Sequence, residues 1–202
     1  MACIRKDYRY KLIKNFLNEE ELNLLQKYAI NKLDNLSSAN ISNNNVSVAP
    51  YCLDYKKDDF MEVILKSKLP LIEKETGLKL YPTYTYWRWY PYGAVLKAHR
   101  DRPSCEISVT VNIYKTKNWP IIVNNKKIEI EPGQGLIYLG IEDKHSRSGF
   151  NKGDALAQLF LHYVDKNGLF PHHKNDEILK KTNQVYDFED KELINTLRNR
   201  RK

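Results

Sequence analysis

Polar and apolar positions change rhythm once along this chain. Before about residue 80 the apolar residues recur at helical spacing, and beyond it they alternate. Asn18 and Glu21 stand at capping-box spacing, where each side chain can satisfy the other's free backbone N–H. Leu22, Leu25, Ala29 and Leu33 then return on one face. That pattern predicts a first helix. Asp59 and Glu62 repeat the capping signal, with Val63, Ile64 and Leu65 as the apolar face of a second helix. Pro70 is expected to break or kink it and Gly77 to stop it. Residues 34–50 between them are rich in Asn and Ser and end at Pro50, the composition of a loop.

From Tyr81 the texture is that of strands. Tyr84 to Tyr90 is a β-type run closed by Pro91-Tyr92-Gly93. Ile107 to Tyr114 alternates at period two, which predicts a strand with one wet or functional face. Pro120 to Val123 and Lys127 to Ile130 flank Asn124-Asn125, a hairpin signal, because asparagine tolerates the left-handed backbone of a tight turn. Leu136 to Leu139 follows the turn Pro132-Gly133-Gln134-Gly135, and Ala155 to Val164 is a further apolar strand. Helices first and short strands after predict an α+β, mostly β fold: an antiparallel barrel or jelly roll with helices packed outside. The tail from Asp187 to Lys202 is expected to form a short helix through Leu193, Ile194 and Leu197.

Composition narrows the class. A chain of 202 residues is one domain by default and buries a core without staples. The hydrophobic fraction of 42% argues against disorder, and the 14 tyrosines suit strands. The net charge of +8, with a dense run at Arg198, Arg200, Arg201 and Lys202, would attract polyanions. No nucleic-acid motif accompanies it, so a solvated basic surface is the favoured reading and nucleic acid the alternative. Cys3, Cys52 and Cys105 are odd in number and widely spaced, which fits neither a disulfide framework nor a zinc site. The first residues lack a signal-peptide apolar run, and no stretch reaches the ~18 apolar residues of a spanning helix. A cytoplasmic protein with no membrane partner is expected (the host cytoplasm if virus-encoded).

The candidate chemistry sits at His99-Arg100-Asp101. In extended chain, positions i and i+2 point to one side, so His99 and Asp101 can face one ion. A third ligand must come from His145, His162 or the pair His172-His173. Two imidazoles and one carboxylate make the facial triad of iron(II), with positions left open for a co-substrate and dioxygen. The plainer alternative is a surface histidine beside a salt-bridged Asp101. The position of the triplet, closing a strand-turn unit before a barrel-type pattern, favours the metal.

Residues 81 to 164 resemble the Fe(II)/2-oxoglutarate-dependent oxygenases, nearest to the prolyl-4-hydroxylase-like branch. Tyr90-x-x-Gly93, His99-x-Asp101 and Thr110-x-x-x-Tyr114 match that branch in type and spacing, and Pro132-x-x-Gly135 followed by His145 matches its closing half. Phe16-Leu17, Glu20-Glu21 and Leu24-Leu25 look like the family's opening helix. The resemblance implies one oxygenase domain over 1–202, with a double-stranded β-helix (jelly-roll, cupin-like) core at 81–165. A helical part at 1–80 would lie outside it, and 166–202 would be an extension. It implies that His99, Asp101 and His145 bind Fe(II), that Tyr114 bonds the far carboxylate of 2-oxoglutarate, and that Tyr90 lines the co-substrate pocket. Dioxygen is the third participant, and Asp101 favours hydroxylation over halogenation.

The family's usual Arg or Lys beyond the second histidine falls here at Ala155. Arg147 is the favoured substitute, because a guanidinium grips a carboxylate with two hydrogen bonds. Lys152 is a second basic candidate, and Gln158 could add neutral hydrogen bonds. His162 is either a core histidine or a neighbour of substrate, and Arg102 and Glu106 are candidates to meet a polar substrate. The implied reaction is hydroxylation of an unactivated C–H bond in a peptide or protein side chain or a free amino acid. The loop 35–49 would serve as a lid. The rivals are a nucleic-acid-directed oxygenase and a non-catalytic jelly-roll binding protein.

Overall fold

A computed structural model describes residues 10–35, 40–41, 48–49, 52–56, 58–150 and 155–175, together with 192, 195, 196 and 199. Two antiparallel sheets face each other. The larger runs in the order β1 (Tyr10–Ile13), β9 (Gly135–Tyr138), β6 (Ile107–Lys115), β11 (Ala155–Asp165), β4 (Leu80–Pro91), β3 (Leu53–Lys56), β2 (Asn40–Ile41). The smaller is β5 (Leu96–His99), β10 (His145–Arg147), β7 (Ile121–Val123), β8 (Lys126–Ile128). This is a double-stranded β-helix. Helices α1 (Glu19–Asp34) and α2 (Asp59–Thr76) cover the outer face of the larger sheet.

The alternation in the sequence explains both faces. On β6, Ile107, Val109, Val111 and Ile113 join the core beneath the helices, while Ser108, Thr110 and Asn112 point between the sheets. On β11, Ala157, Leu159, Leu161 and Tyr163 pack outward, and Gln158, Phe160 and His162 inward. The inner face of β6 is polar but buried, not wet, because the smaller sheet closes over it. Each fully buried aliphatic side chain in the outer core contributes roughly 1.5–3 kcal/mol. Asp58 ties the helices to the sheet. It caps α2 by accepting from Met61 N, and it accepts from the Tyr28 hydroxyl and from Trp87 Nε1.

Most elements fall where the periodicities put them. The α1 capping box between Asn18 and Glu21 is present. Asn124 and Asn125 form the tight turn of the β7–β8 hairpin with positive φ. Four readings need correction. The cap of α2 is Asp58, one residue before Asp59. Val63 is 60% exposed, and the buried face is Met61, Ile64, Leu65 and Ile72. Pro70 does not break α2, which runs on to Gly77 in the left-handed conformation; only the one backbone bond a proline cannot make is forfeited. The first 80 residues are not only helical, since β1, β2 and β3 join the larger sheet. The loop reading of 34–50 meets β2 at Asn40–Ile41, and most of the 35–49 segment lies outside the described residues. So do Lys152, the basic run at 198–202 and nearly all of the tail helix.

Candidate metal centre and cleft

The three sequence-predicted ligands converge. His99 ends β5 and pairs across the smaller sheet with His145, which opens β10, so their rings stand 4.3 Å apart. Asp101 follows two residues after His99, and its N–H donates to the Gly140 carbonyl at 2.8 Å. Asp101 Oδ1 then lies 3.6 Å from His99 Nε2 and 3.5 Å from His145 Nε2. All three ligand atoms fall within 4.8 Å of one another.

The donor atoms are also aimed. His99 Nδ1 stands 2.7 Å from the Lys97 carbonyl, and His145 Nδ1 2.9 Å from the Asp143 carbonyl. A carbonyl only accepts, so each Nδ1 carries the hydrogen and each Nε2 lone pair is left for a cation. The Ser108 hydroxyl donates to Asp101 Oδ2 at 3.0 Å, leaving Oδ1 toward the histidines.

The electrostatics agree. Burial, reinforced by His145, pushes His99 down to about 4; burial also pushes His145 down to about 4, against the Asp143 carbonyl. Neutral imidazoles at these distances are metal ligands in waiting rather than ion-pair partners. Burial holds Asp101 up at about 6, outweighing the pull of His99 and Ser108. A buried carboxylate in that position is relieved by a divalent cation, whose charge would reverse the direction. The residues therefore fit an Fe(II)-type centre. A second grouping, Asp101, Cys105 and His162, is equally close-set. There the Cys105 thiol pairs with the Tyr84 hydroxyl at 2.9 Å and burial drives it far up, so it stays protonated and is a poor ligand.

The triad opens on a narrow cleft. Arg147, two residues past His145 on β10, lies in its wall with the guanidinium 4.9 Å from the Trp119 ring. It donates to the Trp119 carbonyl and, at 2.9 Å, to Gln158 Oε1. Its Nε has no partner, and no carboxylate among the described residues pairs with it. Burial pulls it down to about 10. Gln158 Nε2 is likewise without a partner. By contrast Arg88, also in the wall, is matched by the carboxylate of Asp54 through Nε and Nη2. Arg147 is thus a buried cation in want of an anion, with Tyr90 and Gln158 beside it in the same wall.

Of the other predicted residues, Tyr114 does not join the cleft. A bulge in β6, where Ile113 is the extra residue between Asn112 (opposite Gln158) and Tyr114 (opposite Ala157), turns it to the outer face, where it packs edge-on to Trp89 at 5.7 Å. Glu106 is buried, accepting from Asp165 N, and His172 and His173 lie on a turn beyond β11. Arg102 sits over the Tyr84 ring at 4.7 Å. His162 does line the cleft. Sequence reasoning missed Tyr86, Arg88, Tyr138 and Phe160 in the wall. Three carried a signal: Tyr86 and Arg88 precede Tyr90 by four and two positions on one strand, and Phe160 follows Gln158 by two. Tyr138, 4.8 Å from the His145 ring, carried none beyond its strand.

The sequence matches no family model and no curated protein. Among solved structures it is similar to the non-heme α-ketoglutarate-dependent epimerase SnoN from nogalamycin biosynthesis, at TM-score 0.67 and 10% identity, over 80% of this chain and 78% of that one. It is also similar to a prolyl-4-hydroxylase from Pseudomonas putida, at TM-score 0.56 and 14% identity over 76% and 91%. A third is the viral collagen prolyl hydroxylase from Paramecium Bursaria Chlorella virus-1 in a 2-oxoglutarate complex, at TM-score 0.58 and 14% identity over 80% and 99%. At such identities the likeness is one of fold, and the chain carries the double-stranded β-helix fold that these iron- and 2-oxoglutarate-dependent enzymes share.

Proposed function

We propose that this protein is an Fe(II)- and 2-oxoglutarate-dependent dioxygenase that hydroxylates an unactivated C–H bond, in a peptide or protein side chain or an amino acid. The reading rests on one observation: two bare Nε2 atoms and one carboxylate oxygen converge beside a buried guanidinium that lacks an anion. His99, Asp101 and His145 would hold the metal. Arg147 would take the far carboxylate of 2-oxoglutarate, with Gln158 and Tyr90 alongside.

Bound iron with 2-oxoglutarate and dioxygen supplies the oxidising chemistry; the chain's own residues bind, orient and exclude water. The Lys97 and Asp143 carbonyls fix the two rings, so no reorganisation is needed when the cation arrives. Ser108 holds the second oxygen of Asp101. Arg147, in a buried wall, acts where a charge-assisted bond is strong. Tyr86, Phe160 and Val48 shape the remaining space for substrate.

Anaerobic titration with Fe(II) and 2-oxoglutarate tests the reading. A weak visible charge-transfer band is expected in the wild type and absent in His145→Ala, with succinate released on admitting oxygen. No band in well-folded, iron-loaded wild type rejects it.

A further inference from the structure

The cleft holds one more polar group that neither metal nor co-substrate uses. His162 is 3% exposed, lines the cleft, and its Nε2 has no hydrogen-bond partner. Which tautomer it adopts follows from its other nitrogen. Nδ1 lies 3.1 Å from the Ser108 hydroxyl oxygen, which is also 3.0 Å from Asp101 Oδ2 and 3.1 Å from the Cys105 carbonyl. The hydroxyl has one hydrogen, and both those oxygens can only accept it. His162 Nδ1 must therefore donate to Ser108, and Nε2 is a bare lone pair. A buried acceptor left without a donor is destabilising, so a native site that retains one is poised for a partner from outside the chain.

The geometry points to His162 as the residue that selects substrate by accepting a hydrogen bond from an uncharged donor, above all a planar amide N–H. Its surroundings set that chemistry. An anion offers no hydrogen to a lone pair. An ammonium is opposed by the Arg102 guanidinium, which stands 4.7 Å over the Tyr84 ring that itself lies 4.6 Å from His162. The flanking surfaces are flat: Tyr86 and Phe160 stack at 4.6 Å, with Tyr86 5.9 Å from His162. A planar neutral group packs flat against the open edge of such a stack. This inference rests on the oxygenase reading only for which bond is then attacked; the acceptor itself belongs to the fold.

The test uses the full chain with histidine labelled by nitrogen-15, zinc(II) as a diamagnetic stand-in for iron, and 2-oxoglutarate. Benzamide is the probe, and N,N-dimethylbenzamide, which has no N–H, its control. Expected are a protonated Nδ1 and unprotonated Nε2 at His162, a shift of Nε2 on adding benzamide, and roughly tenfold weaker binding of the dimethyl compound. His162→Phe should bind the two amides alike, and His162→Gln, whose amide oxygen can accept, should restore the preference. A protonated Nε2, no binding of benzamide, or a preference that survives His162→Phe overturns the proposal. The iron and 2-oxoglutarate band, recorded on the same preparations, separates the two readings. A missing band with the tautomer as expected sinks the oxygenase alone, and a normal band with Nε2 protonated sinks the acceptor alone.

Discussion

Replacing Arg147 by methionine keeps side-chain length and removes every donor, and the structure sets its two consequences apart. The cation is 3% exposed, and burial takes it from its ordinary value down to about 10. At ~1.36 kcal/mol per pH unit that is about 3 kcal/mol of penalty for holding the charge in the folded state. The unfolded chain binds this proton more tightly, so the penalty is fully present at neutral pH and fades only as pH rises beyond about 10. Methionine removes it. It also strips the Trp119 carbonyl and Gln158 Oε1 of their donor, at about 1–3 kcal/mol for each group left bare. The two effects oppose, and the melting temperature of the metal-free protein should move by no more than about 10 °C. Co-substrate binding has no such compensation. Each lost bond to a charged group is worth about 1.5–3 kcal/mol, or about 10- to 100-fold in the Kd for 2-oxoglutarate. The assay is the anaerobic charge-transfer titration, paired with the thermal shift produced by 2-oxoglutarate. A folded variant whose Kd stays within about threefold of the wild type refutes the assignment of Arg147.

Asp54→Asn should destabilise by roughly 3–5 kcal/mol, since it leaves the Arg88 guanidinium buried without its carboxylate; chemical denaturation reads this, and a loss under about 1 kcal/mol counts against it. Gly140→Ala places a methyl 2.6 Å from both Asp101 Oδ2 and Ser108 Oγ and against the Cys105 carbonyl, so iron affinity should fall by tenfold or more, measured by metal titration of the folded variant. Without metal, stability should fall as pH drops from 6.5 to about 4, because the unfolded chain takes up protons at His99 and His145 that the buried rings resist. His162, which burial pushes down to about 3, adds to the same effect, and Asp101, held up at about 6, works in the opposite sense with one proton against three. A His145→Gln variant should show a shallower slope of melting temperature against pH.

The candidate trio was legible in two steps: spacing puts His99 and Asp101, i and i+2 of one extended segment, on one side, and the family resemblance picked His145 as the third. What spacing cannot supply is register between strands. His145 was separated from His162 as third ligand by its cross-strand pairing with His99, a property of the rolled sheet. Tyr114 shows the same limit from the other side. It lies on β6 as expected, and one extra residue in that strand, Ile113, sends its ring to the helices. Arg147 could be nominated from its position two after His145. That it lacks a carboxylate is a fact of three dimensions, as is the closing of Arg88 by Asp54 from β3. The strands missed altogether, β1, β2, β3, β5 and β10, are four residues or fewer, too short for alternation to show.

Lys97 sits between two bonds that face opposite ways: its N–H reaches the Val48 carbonyl at 2.8 Å, and its own carbonyl fixes the His99 ring. Val48 also borders the cleft. One residue, through the peptide groups on its two sides, thus joins the cleft border at Val48 to the orientation of the His99 ring. Under the proposed function, a guest that tightens the Val48–Lys97 bond and so steadies the His99 ring would raise metal affinity, and thermodynamic reciprocity requires the metal to raise that guest's affinity by the same factor.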